Sequence, residues 1–174
     1  VTCSSPDAKL EIDSVCYNKG NMILVLGAGA LEFKRFTLSL EADKLVSLET
    51  NVGIEPYGVR RIEISNGSDD LTGRSKDALN NVNYRESAGI KAIPTAKIND
   101  EYVICKNLIV EEDNMKCCKS GDACGCRSND DCKDNGLKDV CKDKFCVECL
   151  SNDHCGDNEG KYCTNDNRCV ECLN

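Results

Sequence analysis

The residues of this chain best equipped for chemistry are its thiols. Fifteen cysteines stand in 174 residues, yet only Cys3, Cys16 and Cys105 lie before Lys116; the other twelve crowd behind it. They form a lattice, Cys126-x5-Cys132-x8-Cys141-x4-Cys146-x2-Cys149, then Cys149-x5-Cys155-x7-Cys163-x5-Cys169-x2-Cys172. Two chemistries use cysteine at this density, metal–thiolate binding and covalent cross-linking. Cys146-x2-Cys149-x19-Cys169-x2-Cys172 has the spacing of a zinc ribbon. A tetrathiolate zinc site there would be structural, with no open position for catalysis. A metallothionein-like cluster would enlist Cys117-Cys118 and Cys124-x-Cys126 as well. Cys155 and Cys163 fall inside the ribbon loop, however, and the same lattice runs upstream to Cys126. A ribbon explains four cysteines; one tandem disulfide pattern explains them all.

The flanking residues repeat with the cysteines. Cys-Arg-Ser-Asn-Asp-Asp-Cys (126–132) answers Cys-Leu-Ser-Asn-Asp-His-Cys (149–155), and Cys-Val-Glu-Cys-Leu occurs at 146–150 and 169–173. A period of about 23 residues marks a small unit copied in tandem. Such a unit is too short to bury a core, so covalent staples must hold it. Staples need an oxidising compartment, which places the expected address outside the cell or at its surface. Asn66-Gly67-Ser68 is an N-glycosylation sequon that fits that address.

Other chemistry is weakly signalled. Asp130, Asp131, Asp134 and Asn135 before Gly136, and Asp153, Asp157, Asn158 and Glu159 before Gly160, offer oxygen ligands in glycine-bearing turns, as calcium loops do. The spacing is not that of an EF-hand, and solvated turns use the same residues; calcium is the one cofactor the chain suggests, and otherwise none is expected. His154 is the single histidine and stands at the repeat position of Asp131, an exposed substitution rather than half of a Ser-His or Cys-His pair. Carboxylates are plentiful, but no pair is marked as acid and base. Gly27-Ala28-Gly29 lacks the third glycine and following helix of a dinucleotide loop. No catalytic, cofactor-binding or metal residue is nominated, and the chain is not expected to be an enzyme.

Composition narrows the partners. The net charge is −8 and the isoelectric point about 4.8, with acidic charge spread over both parts of the chain. Nothing basic is clustered enough to neutralise phosphates, which argues against nucleic acid. Trp is absent and aromatics are 5%, so stacking platforms for carbohydrate are scarce. The longest apolar run, Met22 to Leu31, is broken by Gly27 and Gly29 and is too short to span a bilayer. The start at Val1, without Met or signal peptide, is expected of a processed or trimmed chain.

Residues 1–116 read as an all-β domain and 117–174 as a cysteine-rich, loop-dominated domain with two repeats. Ala8 to Cys16 alternates apolar and polar residues, as a half-buried strand does. Asn18-Lys19-Gly20 is a turn; Met22 to Leu26 is an apolar run expected to be buried on both faces. Phe33 to Leu40, Leu45 to Leu48 and Val59 to Ile64 follow as strands. Asn66 to Ala88 is mostly loop, with a helical turn near Lys76 to Asn80. Ile90 to Ile98 and Tyr102 to Val110 close the set around Asn99-Asp100-Glu101, and Pro94 is expected at an edge or bend. Seven or so short strands over this length suggest an immunoglobulin-like β-sandwich. One of Cys3 and Cys16 should pair with Cys105, with Cys3 favoured; spacing leaves connectivity open.

Three features of this domain carry a resemblance: the alternating strand between Cys3 and Cys16, the glycine-bearing strand before Leu31-Glu32-Phe33-Lys34-Arg35-Phe36, and Ile93-Pro94 leading to Tyr102-Val103-Ile104-Cys105. Over residues 3 to 112 it resembles the globular domain of type IV pilin-like and archaellin-like surface proteins of small-genome archaea. In that family a hydrophobic helix precedes the globular domain and builds the filament core; a sequence that opens without it is expected of a chain from which the helix was removed, of a relative that assembles differently, or of a resemblance of fold only. The tail, with Cys126…Asp130…Cys132 and Cys149…Asp153…Cys155, is similar to small cysteine-knit repeats of secreted and surface proteins, and more loosely to Dickkopf- and colipase-like modules. A simple pairing for such units is interlocked: Cys126–Cys141 with Cys132–Cys146, and Cys149–Cys163 with Cys155–Cys169. Each bridge closes a loop of about 15 residues, worth roughly 3 kcal/mol in the loop-entropy model.

Fifteen is odd, so one cysteine is free, joined to another chain, or partnered outside this sequence. Cys172, where a third repeat would begin, is the candidate; an intersubunit cross-link competes with a free thiol or a missing segment. The function expected is a non-catalytic extracellular structural protein, a cell-surface or pilus-like filament subunit that self-associates. The rival is a secreted binding module, such as an adhesin, ligand or inhibitor, that uses the tail as a rigid loop scaffold; a zinc–thiolate protein ranks behind both.

Overall fold

The computed structural model describes residues 1–17, 20–84, 87–118, 129, 140–142, 145–156 and 161–171. The chain divides into two compact units, Val1–Lys116 and Cys117–Asn174. It is mainly β. In the first unit the strands are β1 (Leu10–Tyr17), β2 (Met22–Ala28), β3 (Phe33–Glu41), β4 (Leu45–Glu49), β5 (Val59–Ile64), β6 (Gly89–Ile98), β7 (Glu101–Ile104) and β8 (Val110–Glu112), with one helix, α1 (Gly73–Ala78). The two-residue strand β9 (Lys116–Cys117) follows. One small open sheet has the order β5-β2-β1-β9; the other runs β4-β3-β6-β7, with β8 also paired to β6. All neighbours with a described register are antiparallel.

The core follows from which side chains each strand turns inward. Met22, Leu24 and Leu26 of β2 are fully buried and stand beside Ile64 and Ile62 of β5. Ile23 and Val25 are only half-buried. The expectation that Met22 to Leu26 is buried on both faces is therefore corrected: flanking strands cover its edges, while one face is covered less completely than the other. In β3 the inward row is Phe33, Phe36, Leu38 and Leu40, all essentially fully buried. Strict alternation could not bury Phe33 and Phe36, three residues apart. A register shift between Phe33 and Arg35 changes the phase and lets both rings turn inward, 5.9 Å apart. A similar shift between Ile12 and Ser14 lets Leu10 and Tyr17 both be buried on β1. Each such side chain contributes about 1.5–3 kcal/mol of burial.

Two loops are set by close backbone approaches. A Cβ on Gly53 would lie 2.1 Å from the Phe33 carbonyl oxygen, and one on Gly29 would lie 2.2 Å from that of Asp7. Gly53 thus admits the backbone bonds between Phe33 and Ile54, and Gly29 those that dock residues 7–9 on the end of β2. Buried Thr50 ends the β3–β4 pairing: its hydroxyl accepts from Phe36 N–H at 2.9 Å and donates to the Val52 carbonyl at 3.0 Å.

Pro94 does not sit at an edge. It lies buried within β6, between β3 and β7. Its carbonyl accepts from Cys105 N–H at 3.0 Å, but it has no N–H to return to the Cys105 carbonyl. That carbonyl is instead satisfied by Leu108 N–H at 3.0 Å, which closes the 3-10 turn Lys106–Leu108. Tyr102 to Val110 is accordingly not one strand: it breaks opposite the proline into β7, the turn and β8. The β6–β7 link is a tight turn with Asn99 and Asp100 both at positive φ, 49° and 66°, the two-residue geometry that suits the twist of a hairpin.

In the second unit the described strands are two hairpins, β10 (Val140–Lys142) with β11 (Phe145–Val147) and β12 (Lys161–Cys163) with β13 (Cys169–Glu171).

Candidate functional site: the cysteine lattice

Each hairpin of the second unit places two cysteines opposite one another, Cys141 beside Cys146 and Cys163 beside Cys169. Facing cysteines do not bond to each other in the second hairpin. Cys163 is joined to Cys149 and Cys169 to Cys155, with Cα–Cα distances of 5.8 and 5.5 Å and a sequence separation of 14 in each case. The bridges are interlocked along the chain and side by side in space: the sulfurs of Cys149, Cys155 and Cys169 lie within 4.8 Å of one another. Three sulfurs this close could be mistaken for a metal site, but each is already in a disulfide, and a disulfide sulfur is not the thiolate that zinc takes. Cys149 and Cys169, two of the four residues with zinc-ribbon spacing, sit in different bridges. Cys141 and Cys146 are likewise disulfide-bonded; Cys126 and Cys132, the partners expected for them, lie outside the described residues, as does Cys172.

The two repeats share more than cysteine spacing. The Asn152 side-chain oxygen accepts the Cys163 N–H at 2.9 Å, and that of Asn129 accepts the Cys141 N–H at 2.8 Å. These are equivalent positions, so the repeated Ser-Asn-Asp encodes a clasp from the loop to the first hairpin strand. The repeats are also tied to each other. Glu148 accepts from Cys169 N–H at 2.9 Å, Asn167 donates to the Cys149 carbonyl at 2.9 Å, and Lys142 donates to the Asn167 side chain at 3.1 Å. Asn167 adopts φ 59° in the β12–β13 turn, a conformation asparagine tolerates well. None of these roles was assigned from sequence; the repeated Ser-Asn-Asp and Val-Glu-Cys were the signals available.

His154 is exposed, as expected of it, but it is not idle. In the short 3-10 helix Asn152–Cys155 its Nδ1 accepts the N–H groups of Leu150 at 3.0 Å and Ser151 at 3.3 Å, forming a reciprocal cap with Ser151. A carboxylate could accept the same bonds, which accounts chemically for an Asp at the matching place in the other repeat. Of the calcium candidates, Asp153 is exposed in this helix; Asp130, Asp131, Asp134, Asn135, Asp157, Asn158 and Glu159 lie outside the described residues.

In the first unit Cys3 is bonded to Cys105, 102 residues away, with a Cα–Cα distance of 5.5 Å. Asn107 donates to the Cys3 carbonyl at 2.7 Å and braces the bridge. Cys16 is also disulfide-bonded. Asn66 is exposed in a turn after β5; Ser68 of its sequon is buried, its hydroxyl accepting from Asp70 N–H at 3.1 Å. An open cleft of about 350 Å³ is lined by Glu32, Lys34, Glu55 and Arg60 around Phe33 and Ile54. The Glu32 carboxylate bonds Lys34 there and holds its ammonium above the usual lysine pKa. Buried Tyr84 has no hydrogen-bond partner for its hydroxyl among the described residues, and burial pushes its pKa up to about 12.

Among the described residues no helix is long and apolar enough to cross a membrane. No protein-family model, curated protein or solved structure matches the chain.

Proposed function

We propose that this is a non-catalytic extracellular structural protein, a cell-surface or pilus-like filament subunit made rigid by disulfides. The observation that carries the reading is the extent of covalent closure. One bridge ties residues 102 apart in the first unit, and an interlocked pair closes the second repeat of the tail. Closure of this kind persists where thiols are oxidised. Within this reading the first unit is an immunoglobulin-like, pilin-like sandwich and the second a Dickkopf-like module. The alternative, a secreted binding module, draws support from Leu150 and Tyr162, large apolar side chains left exposed on the rigid cysteine-rich unit.

Intact mass after alkylation without reductant, with and without chelator, tests the proposal. At most one alkylated thiol, unchanged by chelator, is expected, and a disulfide-linked multimer would favour assembly through the odd cysteine. A stable monomer would favour the binding module. Many alkylated thiols, rising with chelator, would replace the whole account with a metal–thiolate protein.

A further inference from the structure

A sheet edge exposes unpaired N–H and C=O groups, and folded proteins usually blunt or cover it. In the first unit most edges are so treated. The β4 edge is met by α1: Glu49 N–H donates to the Ser75 hydroxyl at 2.7 Å, and the Glu49 carbonyl accepts from Thr72 N–H at 3.0 Å. On β5 the outward N–H of Glu63 donates to the Asp70 carboxylate at 2.9 Å, and exposed Arg60 and Arg61 charge that edge. β1 is followed by β9. β7 differs: all four of its residues are exposed, three of them apolar or aromatic, with Tyr102 at 65% and Ile104 at 57%.

Which groups of β7 remain available follows from its pairing. Cys105 N–H donates to Pro94, and the register runs Thr95 to Ile104, Ala96 to Val103, Lys97 to Tyr102. Alternation along an antiparallel ladder then directs the N–H and C=O of Glu101 and Val103 toward β6 and those of Tyr102 and Ile104 outward. We propose that this edge is a homodimer interface, in which β7 pairs antiparallel with β7 of a second copy about a two-fold axis at Val103. In that register Tyr102 opposes Ile104 of the second copy, and the reverse, so all outward groups of both strands are used in four hydrogen bonds. Val103 meets its own symmetry mate. Glu101 at the start of β7, and Asp100, whose carboxylate also lies 3.0 Å from the Lys97 ammonium, come against Lys106 of the second copy just past its end, at both ends of the pair. Moving the axis to Tyr102 or to Ile104 strands half of the outward groups and sets Asp100 against Ile104 or Tyr102 against Lys106. Arg35, whose guanidinium lies 5.9 Å from the Tyr102 ring centre, steadies that ring on the outer face.

This names the contact for the self-association in the proposed structural role and rests on that role only for its biological sense. A monomer with at most one free thiol would overturn the interface while leaving the disulfide reading intact. The test is sedimentation velocity of the oxidised full chain over a concentration series into the high micromolar range. A reversible dimer that dissociates in non-reducing detergent is expected, weak because four residues bury little surface. Ile104→Lys should weaken it at least about tenfold by placing a charge in the paired edge, and Lys106→Glu should weaken it by like-charge repulsion. Combining Lys106→Glu with Asp100→Lys and Glu101→Lys should restore it, a rescue that a merely structural role for these exposed residues would not give. A chain that stays monomeric throughout, a dimer indifferent to these substitutions, or a charge reversal that fails to rescue each overturns the proposal.

Discussion

Removing the Cys3–Cys105 bridge should cost the first unit a large share of its stability without abolishing its fold. Cross-linking residues 102 apart restricts the unfolded chain by about 4.7 kcal/mol in the loop-entropy model. Domains of this size hold roughly 5–15 kcal/mol in total. Cys105 is 1% exposed, so the pair should be changed together, Cys3→Ser with Cys105→Ala, to leave neither a lone thiol nor a buried hydroxyl. Backbone bonds around the bridge, Cys105 N–H to Pro94 and Leu108 N–H to Cys105, do not depend on sulfur and should keep β7 in place. Urea unfolding followed by tyrosine signal reports on this unit, because the chain has no Trp and Tyr162 is the one tyrosine outside it. The expected result is a midpoint lowered by the equivalent of at most about 4–5 kcal/mol, since the Cys16 bridge still restrains the unfolded chain, with a steeper transition because the freed chain unfolds to a more expanded state. The tail provides the contrast. Its bridges span 14 residues and restrict the chain by about 3 kcal/mol each, but its unit is small and its described core is mostly cysteine with Val140 and Val147. Cys149→Ala with Cys163→Ala should therefore unfold it. A loss below about 1 kcal/mol in the first unit, or a tail that keeps its fold, would refute the argument that covalent closure substitutes for core in one unit and supplements it in the other.

Four further outcomes are expected. Tyr84→Phe should leave the fold unchanged and raise stability by about 1 kcal/mol, since the hydroxyl it removes is buried without a partner among the described residues; equilibrium unfolding at neutral pH measures it. The same side chain should make the native protein sensitive to alkali. Its folded pKa is raised to about 12, so the stabilisation is complete below the unfolded value near 10 and is lost as pH climbs to 12, at up to about 1.4 kcal/mol per pH unit; unfolding between pH 9 and 11 should show a shallower loss in the phenylalanine variant. Thr50→Val should cost about 2 kcal/mol, because it deprives Phe36 N–H and the Val52 carbonyl of their partner. Asn152→Ala should loosen the clasp on Cys163, speeding hydrogen exchange at that amide while the β3–β6 amides stay protected.

The strands were legible because a half-buried sheet writes itself with period two, and β1, β3, β4 and β5 lie where that alternation predicts. What sequence could not supply was the phase. The bulges at Ile12/Ser14 and Phe33/Arg35 change which parity faces inward, and no residue type announces them. Pro94 shows the deeper limit. The rule that proline avoids central strands concerns an unmet ladder bond, and here the 3-10 turn at Lys106–Leu108 answers that bond from the neighbouring segment, a compensation visible only once both segments are in place. The lattice was legible in a different sense. Repeated spacing identified the unit, and the pairs Cys149–Cys163 and Cys155–Cys169 are the interlocked ones written for it. Its polar clasps were not, because Asn, Glu and His in turns are ordinary solvated residues until a particular backbone N–H lies opposite them. The two levels meet at β7. The proline that interrupts the outer strand also ends β7 after four residues, leaving a short apolar edge of fixed length with charge of opposite sign at its two ends. If the charge-reversal rescue succeeds, the residue that most misled the strand assignment is also the one that sets the length and register of the contact between copies.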